Sequence, residues 1–130
     1  MTAAIPEDRR YLLDDPNYGA LGTVRGDGSP QVNPMWFQFD GERIRFTHTT
    51  KRAKFRNLER NPAMTFMVFD PGNPYRYIEL RGHLSEVIDD PDGDFFVQLA
   101  RRYGNESPQP PADAASRVIL VMEPTWSRAQ

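Results

Sequence analysis

A cluster of basic side chains at the start of one predicted helix is the part of this sequence best suited to chemistry. Lys51, Arg52 and Lys54 fall in the first turn of a helix predicted over 51–60, and Arg56 follows one turn after Arg52. The N-terminal end of a helix carries a partial positive charge and ordinarily attracts Asp or Glu. Three cations there are unfavourable unless an anion lies beside them, so the pattern predicts a phosphate-binding site.

Two threonines come directly before this helix. Thr49 or Thr50 can accept hydrogen bonds from its first backbone N–H groups, and Asn61-Pro62 predicts its end. The alternative interpretation is a solvated helix face with no ligand, because exposed runs of charge are usually only solvated. Both interpretations stay open on the residues alone.

The bulk composition places the chain among ordinary globular proteins. It has 130 residues, 38% of them hydrophobic and 26% charged, and one domain over 1–130 is expected. The net charge of −2 disfavours nucleic acid and anionic membranes as partners. There is no cysteine, which excludes disulfides and thiolate chemistry, and no long apolar run or signal core. A cytoplasmic protein is the resulting expectation.

Closely spaced strands and turn signals predict a barrel of mostly antiparallel strands. Six strands are expected, over 18–25, 31–40, 42–47, 63–69, 75–87 and 117–122. Three short helices are expected over 6–13, 51–60 and 91–103.

Individual residues refine these strands. Pro34 cannot donate a hydrogen bond to a neighbouring strand, so the strand 31–40 should lie at an edge or carry a bulge. Gly19 and Gly22 indicate a bulge or a close approach of another backbone segment. The almost wholly apolar stretch 63–69 suggests a strand that is buried on both faces.

Few other residues could form a reactive centre. His48 and His83 are the only histidines, and with no cysteine or spaced carboxylate motif no metal site is expected. His48 could support the predicted phosphate site or could be an exposed residue at a strand end. Neither a G-x-S-x-G elbow nor a Rossmann or Walker phosphate motif occurs. No catalytic residue is assigned.

Four segments, in order along the chain, resemble one known superfamily. They are Gly19-Ala-Leu-Gly-Thr-Val, Gly28-Ser-Pro-Gln-Val-Asn-Pro-Met-Trp-Phe, Thr49-Thr-Lys-Arg-Ala-Lys-Phe-Arg-Asn-Leu-Glu-Arg-Asn-Pro and Tyr77-Ile-Glu-Leu-Arg-Gly-His-Leu. They are similar to the pyridoxamine 5′-phosphate oxidase-like split β-barrels, and more narrowly to the actinobacterial flavin/deazaflavin oxidoreductases of the B group. The resemblance implies a mainly β fold, a six-stranded antiparallel split β-barrel like that of FMN-binding proteins, in a homodimer.

The resemblance also implies which residues bind a cofactor. Lys51, Arg52 and Lys54 match the cations that hold its phosphate, with Thr49 and Thr50 beside them. A second group, Gln31, Asn33, Pro34 and Met35, matches the strand along which its ring lies. Trp126 and the loop around Tyr75 could close the site from the partner subunit.

The function implied is hydride transfer from reduced coenzyme F420 to a small molecule: a conjugated carbonyl, a quinone or a tetrapyrrole. In such enzymes the cofactor carries the reaction and the protein supplies binding, orientation and electrostatics. The alternatives are an FMN-binding oxidoreductase of the same fold and a non-catalytic F420- or flavin-binding protein. The proton could come from water, Tyr75, Tyr77 or His48, and the sequence does not choose among them.

Overall fold

A seven-stranded antiparallel sheet with short helices makes up the fold. The computed structural model describes residues 2–130. The strands are β1 (Gly19–Val24), β2 (Pro30–Met35), β3 (Gln38–Phe39), β4 (Ile44–Thr49), β5 (Ala63–Asp70), β6 (Asn73–Asp89) and β7 (Arg117–Ala129). The α-helices are α1 (Tyr11–Asp14), α2 (Ala53–Arg60) and α3 (Asp94–Arg102), with 3₁₀ turns at Glu7–Arg9 and Ala114–Ser116. The predicted fold class, mainly β and antiparallel, is confirmed.

The long strands β6 and β7 lie towards the middle of the sheet, whose order is β2-β1-β5-β6-β7-β4-β3. Their pairing shifts register at Arg81/Gly82 and again at Leu84/Glu86. A Cβ atom at residue 82 would overlap the backbone of Glu123, so glycine is required where these strands approach so closely. β2 lies at one edge, as Pro34 predicts.

Residues 2–130 form seven strands where six are expected, because the predicted strand 31–40 divides into β2 and β3. The interruption is at Phe37, whose backbone bonds to side chains of the α3 region instead of to a neighbouring strand. Its N–H donates to the Tyr103 hydroxyl at 3.0 Å, and its C=O accepts from Arg102 Nε at 3.1 Å. These partners are 65 and 66 residues away in sequence, so the local pattern could not predict the break.

The core is centred on three fully buried aromatic rings. Phe66 meets Phe37 and Phe46 edge-on, with ring centroids 5.0 and 5.1 Å apart. Edge-to-face contacts of this kind stabilise aromatic clusters by about 1 kcal/mol beyond the burial of area. Gly19 is needed here, because a Cβ atom at that position would overlap the Phe66 ring. The group that approaches this glycine is a side chain and not a backbone segment, so the predicted close backbone approach is not found at residue 19.

β5 is buried on one face only, so the prediction of burial on both faces is wrong within the single chain. Met64, Phe66 and Val68 are buried, whereas the alternate residues Thr65 and Phe69 are exposed. No segment of the described chain therefore covers the apolar outer face of β5.

The helix boundaries differ in ways that affect the predicted site. α2 begins at Ala53 after Arg52 in extended conformation, and no side chain of residues 2–130 caps it. The Thr49 hydroxyl accepts a hydrogen bond from the Lys51 backbone N–H at 3.4 Å and bonds to the Ser116 hydroxyl at 2.9 Å. The bond to Lys51 lies two residues before α2, so neither threonine caps α2 itself. Further corrections are that the segment 6–13 holds a 3₁₀ turn followed by α1, and that α3 is shorter than 91–103. No helix within residues 2–130 is long and apolar enough to span a membrane.

Candidate functional site

A cleft of about 520 Å³ opens where β2, the end of β4, the start of α2 and the start of β7 meet. β2 contributes alternate half-buried side chains, and α2 contributes basic ones. Its lining residues are Gln31, Asn33, Pro34, Met35, Thr47, His48, Arg52, Ala53, Lys54 and Arg117. Three of them are cations, and no carboxylate of the described chain is among them.

Lys54 is the most unusual of these cations, because it is only 7% exposed. Its ammonium group contacts the Met35 sulfur at 3.4 Å, a weak acceptor for a charged donor. Burial, and secondly the nearby Arg52, lower the pKa of Lys54. Within residues 2–130 neither of these cations forms an ion pair. A buried cation without a counter-charge is costly, so the cleft is electrostatically suited to an anion.

His48 is buried beside Lys54, with 6% of its surface exposed. Its Nε2 atom has no hydrogen-bond partner within the described chain. Burial, and then the charges of Lys54, Arg52 and Arg117, lower its pKa to about 4. The imidazole is therefore neutral at pH 7, and the interpretation of His48 as an exposed strand-end residue is wrong.

Amide side chains of β2 are oriented by a chain of hydrogen bonds that starts on α2. Arg60 donates to Asn57 Oδ1 at 3.4 Å, and Asn57 Nδ2 donates to Gln31 Oε1 at 3.4 Å. Gln31 Nε2 then donates to Asn33 Oδ1 at 3.2 Å. Within residues 2–130 the Asn33 amide N–H₂ forms no further hydrogen bond, and Asn33 is among the residues that line the cleft. Asn57, which sequence reasoning did not assign to the site, is 5% exposed and supports this arrangement.

Arg117 is a second site residue that sequence reasoning did not find. β7 pairs with β4 so that Arg117 lies opposite Thr49, which brings it to the cleft. Its guanidinium donates to Asp113 at 3.0 Å and lies 5.0 Å from the Phe96 ring centroid. Only the long-range pairing of two strands places it there, and the sequence around residue 117 carries no local signal of that role.

The nine predicted cofactor-binding residues do not all reach the cleft. Six line it: Gln31, Asn33, Pro34, Met35, Arg52 and Lys54. Thr49 is buried against Ser116, Thr50 lines a separate hollow with Asp89 and Arg117, and Lys51 is exposed. Tyr75, Tyr77 and Trp126 are not among the lining residues. The cofactor-binding role of each residue stays a prediction.

Metal chemistry finds no support in the described part of the chain. Residues 2–130 contain no group of three or more His, Cys, Asp or Glu side chains placed to hold one ion.

Comparisons with known proteins identify the family to which this fold belongs. The chain matches the pyridoxamine 5′-phosphate oxidase family over residues 5–130, and it belongs to that family. It is similar to a solved structure described as an F420 reductase, with 53% sequence identity and a TM-score of 0.93. That similarity covers 97% of this chain and all of the other.

Two more distant structures share the fold. A conserved hypothetical protein from Mycobacterium tuberculosis is 22% identical, with a TM-score of 0.76 over 98% of this chain and 85% of its own. A putative pyridoxamine 5′-phosphate oxidase from Listeria innocua is 20% identical, with a TM-score of 0.69 over 95% of both chains.

Proposed function

We propose that this protein is an F420-dependent oxidoreductase that reduces conjugated carbonyls, quinones or tetrapyrroles. The observation that carries the proposal is the buried Lys54 ammonium, which lines a cleft of cations with no carboxylate among the described residues. Such a cleft suits the phosphate of a cofactor. The 53% identity to an F420 reductase over the whole length favours the deazaflavin over other phosphorylated cofactors.

The donor set in the cleft fits a phosphorylated heterocycle. Lys54 and Arg52 would bind the phosphate, and Arg117 adds a third positive charge to the lining of the cleft. Asn33 and Met35, on the half-buried face of β2, would lie along the ring. When bound, reduced F420 supplies the hydride, and the protein fixes its position and its charge environment.

Proton delivery need not involve a side chain of the same chain. His48 is the one earlier candidate that lines the cleft, but its neutral ring is a poor proton donor near pH 7 because its pKa is about 4. Tyr75 is 78% exposed and Tyr77 lies outside the cleft lining. Within one protomer this leaves water as the proposed proton source.

We further propose that the chain acts as a homodimer in the cytoplasm. The support is an apolar outer face on β2, β1, β5 and β6, where Val32 is 66% and Phe69 44% exposed. Met67 and Tyr77 line a shallow groove on the same face. A second copy would cover this surface. Light scattering on wild type and Val32→Glu tests the proposal, which predicts a dimer for the former and a monomer for the latter.

The function is tested by titrating the protein with F420 and, separately, with FMN while tryptophan fluorescence is recorded. Micromolar binding of F420 with FMN much weaker is expected, followed by turnover of enones, quinones or biliverdin with reduced F420. The opposite preference would assign the protein to the flavin-binding oxidoreductases. Binding of F420 without turnover of any of these substrates would indicate a carrier, and binding of neither cofactor would overturn the proposal.

A further inference from the structure

We propose that His48 contacts the molecule bound in the cleft, and that its Nε2–H group donates a hydrogen bond to an oxygen atom of that molecule. The inference rests on the proposed function, because the oxygen belongs to the phosphorylated cofactor, either to its phosphate or to a ring carbonyl. His48 thereby becomes a ligand-contacting residue and not a proton donor.

The position of His48 on β4 explains why its ring reaches the cleft. Side chains alternate along a strand, so His48 shares the inner face with Ile44 and Phe46, which are fully buried core residues. It is the last residue of that row, where the strand leaves the apolar core and enters the wall of the cleft. A polar ring at the end of an apolar row fits a site whose remaining lining residues are mostly polar.

The missing partner of Nε2 is the main observation. This nitrogen is buried and bonds to nothing within the described chain, although a buried polar atom left unsatisfied costs about 1–3 kcal/mol. Native proteins satisfy nearly all such atoms with a protein group or an ordered water. Three other side-chain atoms of residues 2–130 also lack a partner: Thr23 Oγ1, Arg45 Nε and Thr47 Oγ1. Of these four residues only Thr47 and His48 line the cleft, so we assign the partner of Nε2 to a ligand bound there.

The surrounding charges determine which way this hydrogen bond runs. Lys54 and Arg52, at the start of α2, and Arg117, on β7, face the imidazole, and all three are donors only. Arg117 is partly balanced by Asp113, which bonds to its Nε. A ligand drawn to these cations is rich in acceptor oxygens, so the proton belongs on Nε2 and the neutral ring donates.

A ligand titration with two substitutions tests the contact. His48→Leu removes the ring nitrogens at similar volume, and His48→Gln retains an amide N–H₂ at a similar reach. We expect His48→Leu to raise the F420 dissociation constant at least tenfold and His48→Gln to raise it less than threefold. His83→Leu, at the other histidine, is the control and should bind like wild type. An unchanged affinity in His48→Leu would overturn the inference.

Nitrogen-15 NMR of histidine-labelled wild type provides a readout that needs no variant of His48 to fold. The protein gives signals from two rings, and His83→Gln assigns them. Addition of F420 should shift the Nε2 resonance of His48, with the ring remaining neutral between pH 6 and 8. A ring that becomes protonated on binding, or a resonance that does not move, would contradict the inference. If wild type binds neither F420 nor FMN, the proposed function fails first and this contact fails with it.

Discussion

Two basic side chains in this molecule, Arg102 and Lys54, are placed in opposite ways. Arg102, at the end of α3, donates to four backbone carbonyls: Leu13 at 3.3 Å, Asp14 at 3.1 Å, Asp15 at 2.9 Å and Phe37 at 3.1 Å. Lys54, near the start of α2, is buried and contacts one methionine sulfur. The first cation has its partners within the fold, and the second does not.

The difference separates a cation that holds the fold together from one that we propose serves a ligand. The carbonyls that bind Arg102 include those at the end of α1, where helical C=O groups lack partners in the helix. Arg102 thus joins α1, α3 and the break between β2 and β3. Lys54 forms no ion pair within residues 2–130, and we propose that an anionic ligand balances its charge.

The largest expected effect is on folding, through Arg102. Arg102→Met should lower the free energy of unfolding by about 4 kcal/mol, because four hydrogen bonds from a charged donor are lost and carbonyls are left unsatisfied. Urea denaturation measures this. Arg101→Met, at the exposed neighbouring position, is the matched control and should change stability by less than about 0.5 kcal/mol. Equal losses in both variants would show that Arg102 does not join the helices.

The next largest effect is a loss of stability at acid pH, which arises from His48 in the cleft. In the native protein the pKa of His48 is about 4, below the 6.5 of an unperturbed histidine. As the pH falls from 6.5 to 4, His48 binds a proton in the unfolded chain but stays neutral in the native chain. The free energy of unfolding therefore falls. The difference between these pKa values corresponds to roughly 3 kcal/mol. Wild-type protein without ligand should lose up to that amount over this range.

A substitution of His48 tests whether this residue causes the loss of stability at acid pH. His48→Gln should remove most of this acid dependence in urea denaturation at pH 7 and pH 4.5, while His83→Gln should retain it. If His48→Gln lost stability as steeply as wild type, burial and the surrounding cations would not be lowering the pKa of His48.

Substitution of Lys54 should weaken ligand binding without lowering stability, which is the reverse of the effect expected at Arg102. Lys54→Met should raise the dissociation constant of F420 about 30-fold, since a charged hydrogen bond to a phosphate contributes about 2 kcal/mol. Its stability should stay the same or rise, because replacing a buried charge with an apolar side chain removes a desolvation cost. Calorimetric titration and urea denaturation test the two parts. A variant that lost stability and kept its affinity would make Lys54 a structural residue.

The local sequence pattern predicted most of the strands and helices and part of the set of residues that line the cleft. The alternation along β2 correctly placed Gln31, Asn33 and Met35 on one face, and Pro34 correctly indicated an edge strand. The break at Phe37 could not be predicted, because it depends on side chains from α3. Arg117 reaches the cleft through strand pairing alone. The burial of His48 likewise depends on the segments that pack over β4, so the sequence of β4 alone does not predict it.

Lys51 should give the smallest effect, and it sharpens the comparison within the basic segment. The sequence places Lys51 and Lys54 together at the start of one helix, yet the structure has Lys51 exposed before α2 and Lys54 buried in the cleft. An exposed cation that does not line the cleft attracts the phosphate mainly through water and salt, which screen the attraction. Lys51→Met should therefore weaken F420 binding less than about threefold at 150 mM salt, with the effect fading as salt is raised. If Lys51→Met weakened binding as much as Lys54→Met and did so at high salt, Lys51 would contact the phosphate directly, and burial would no longer distinguish the two lysines.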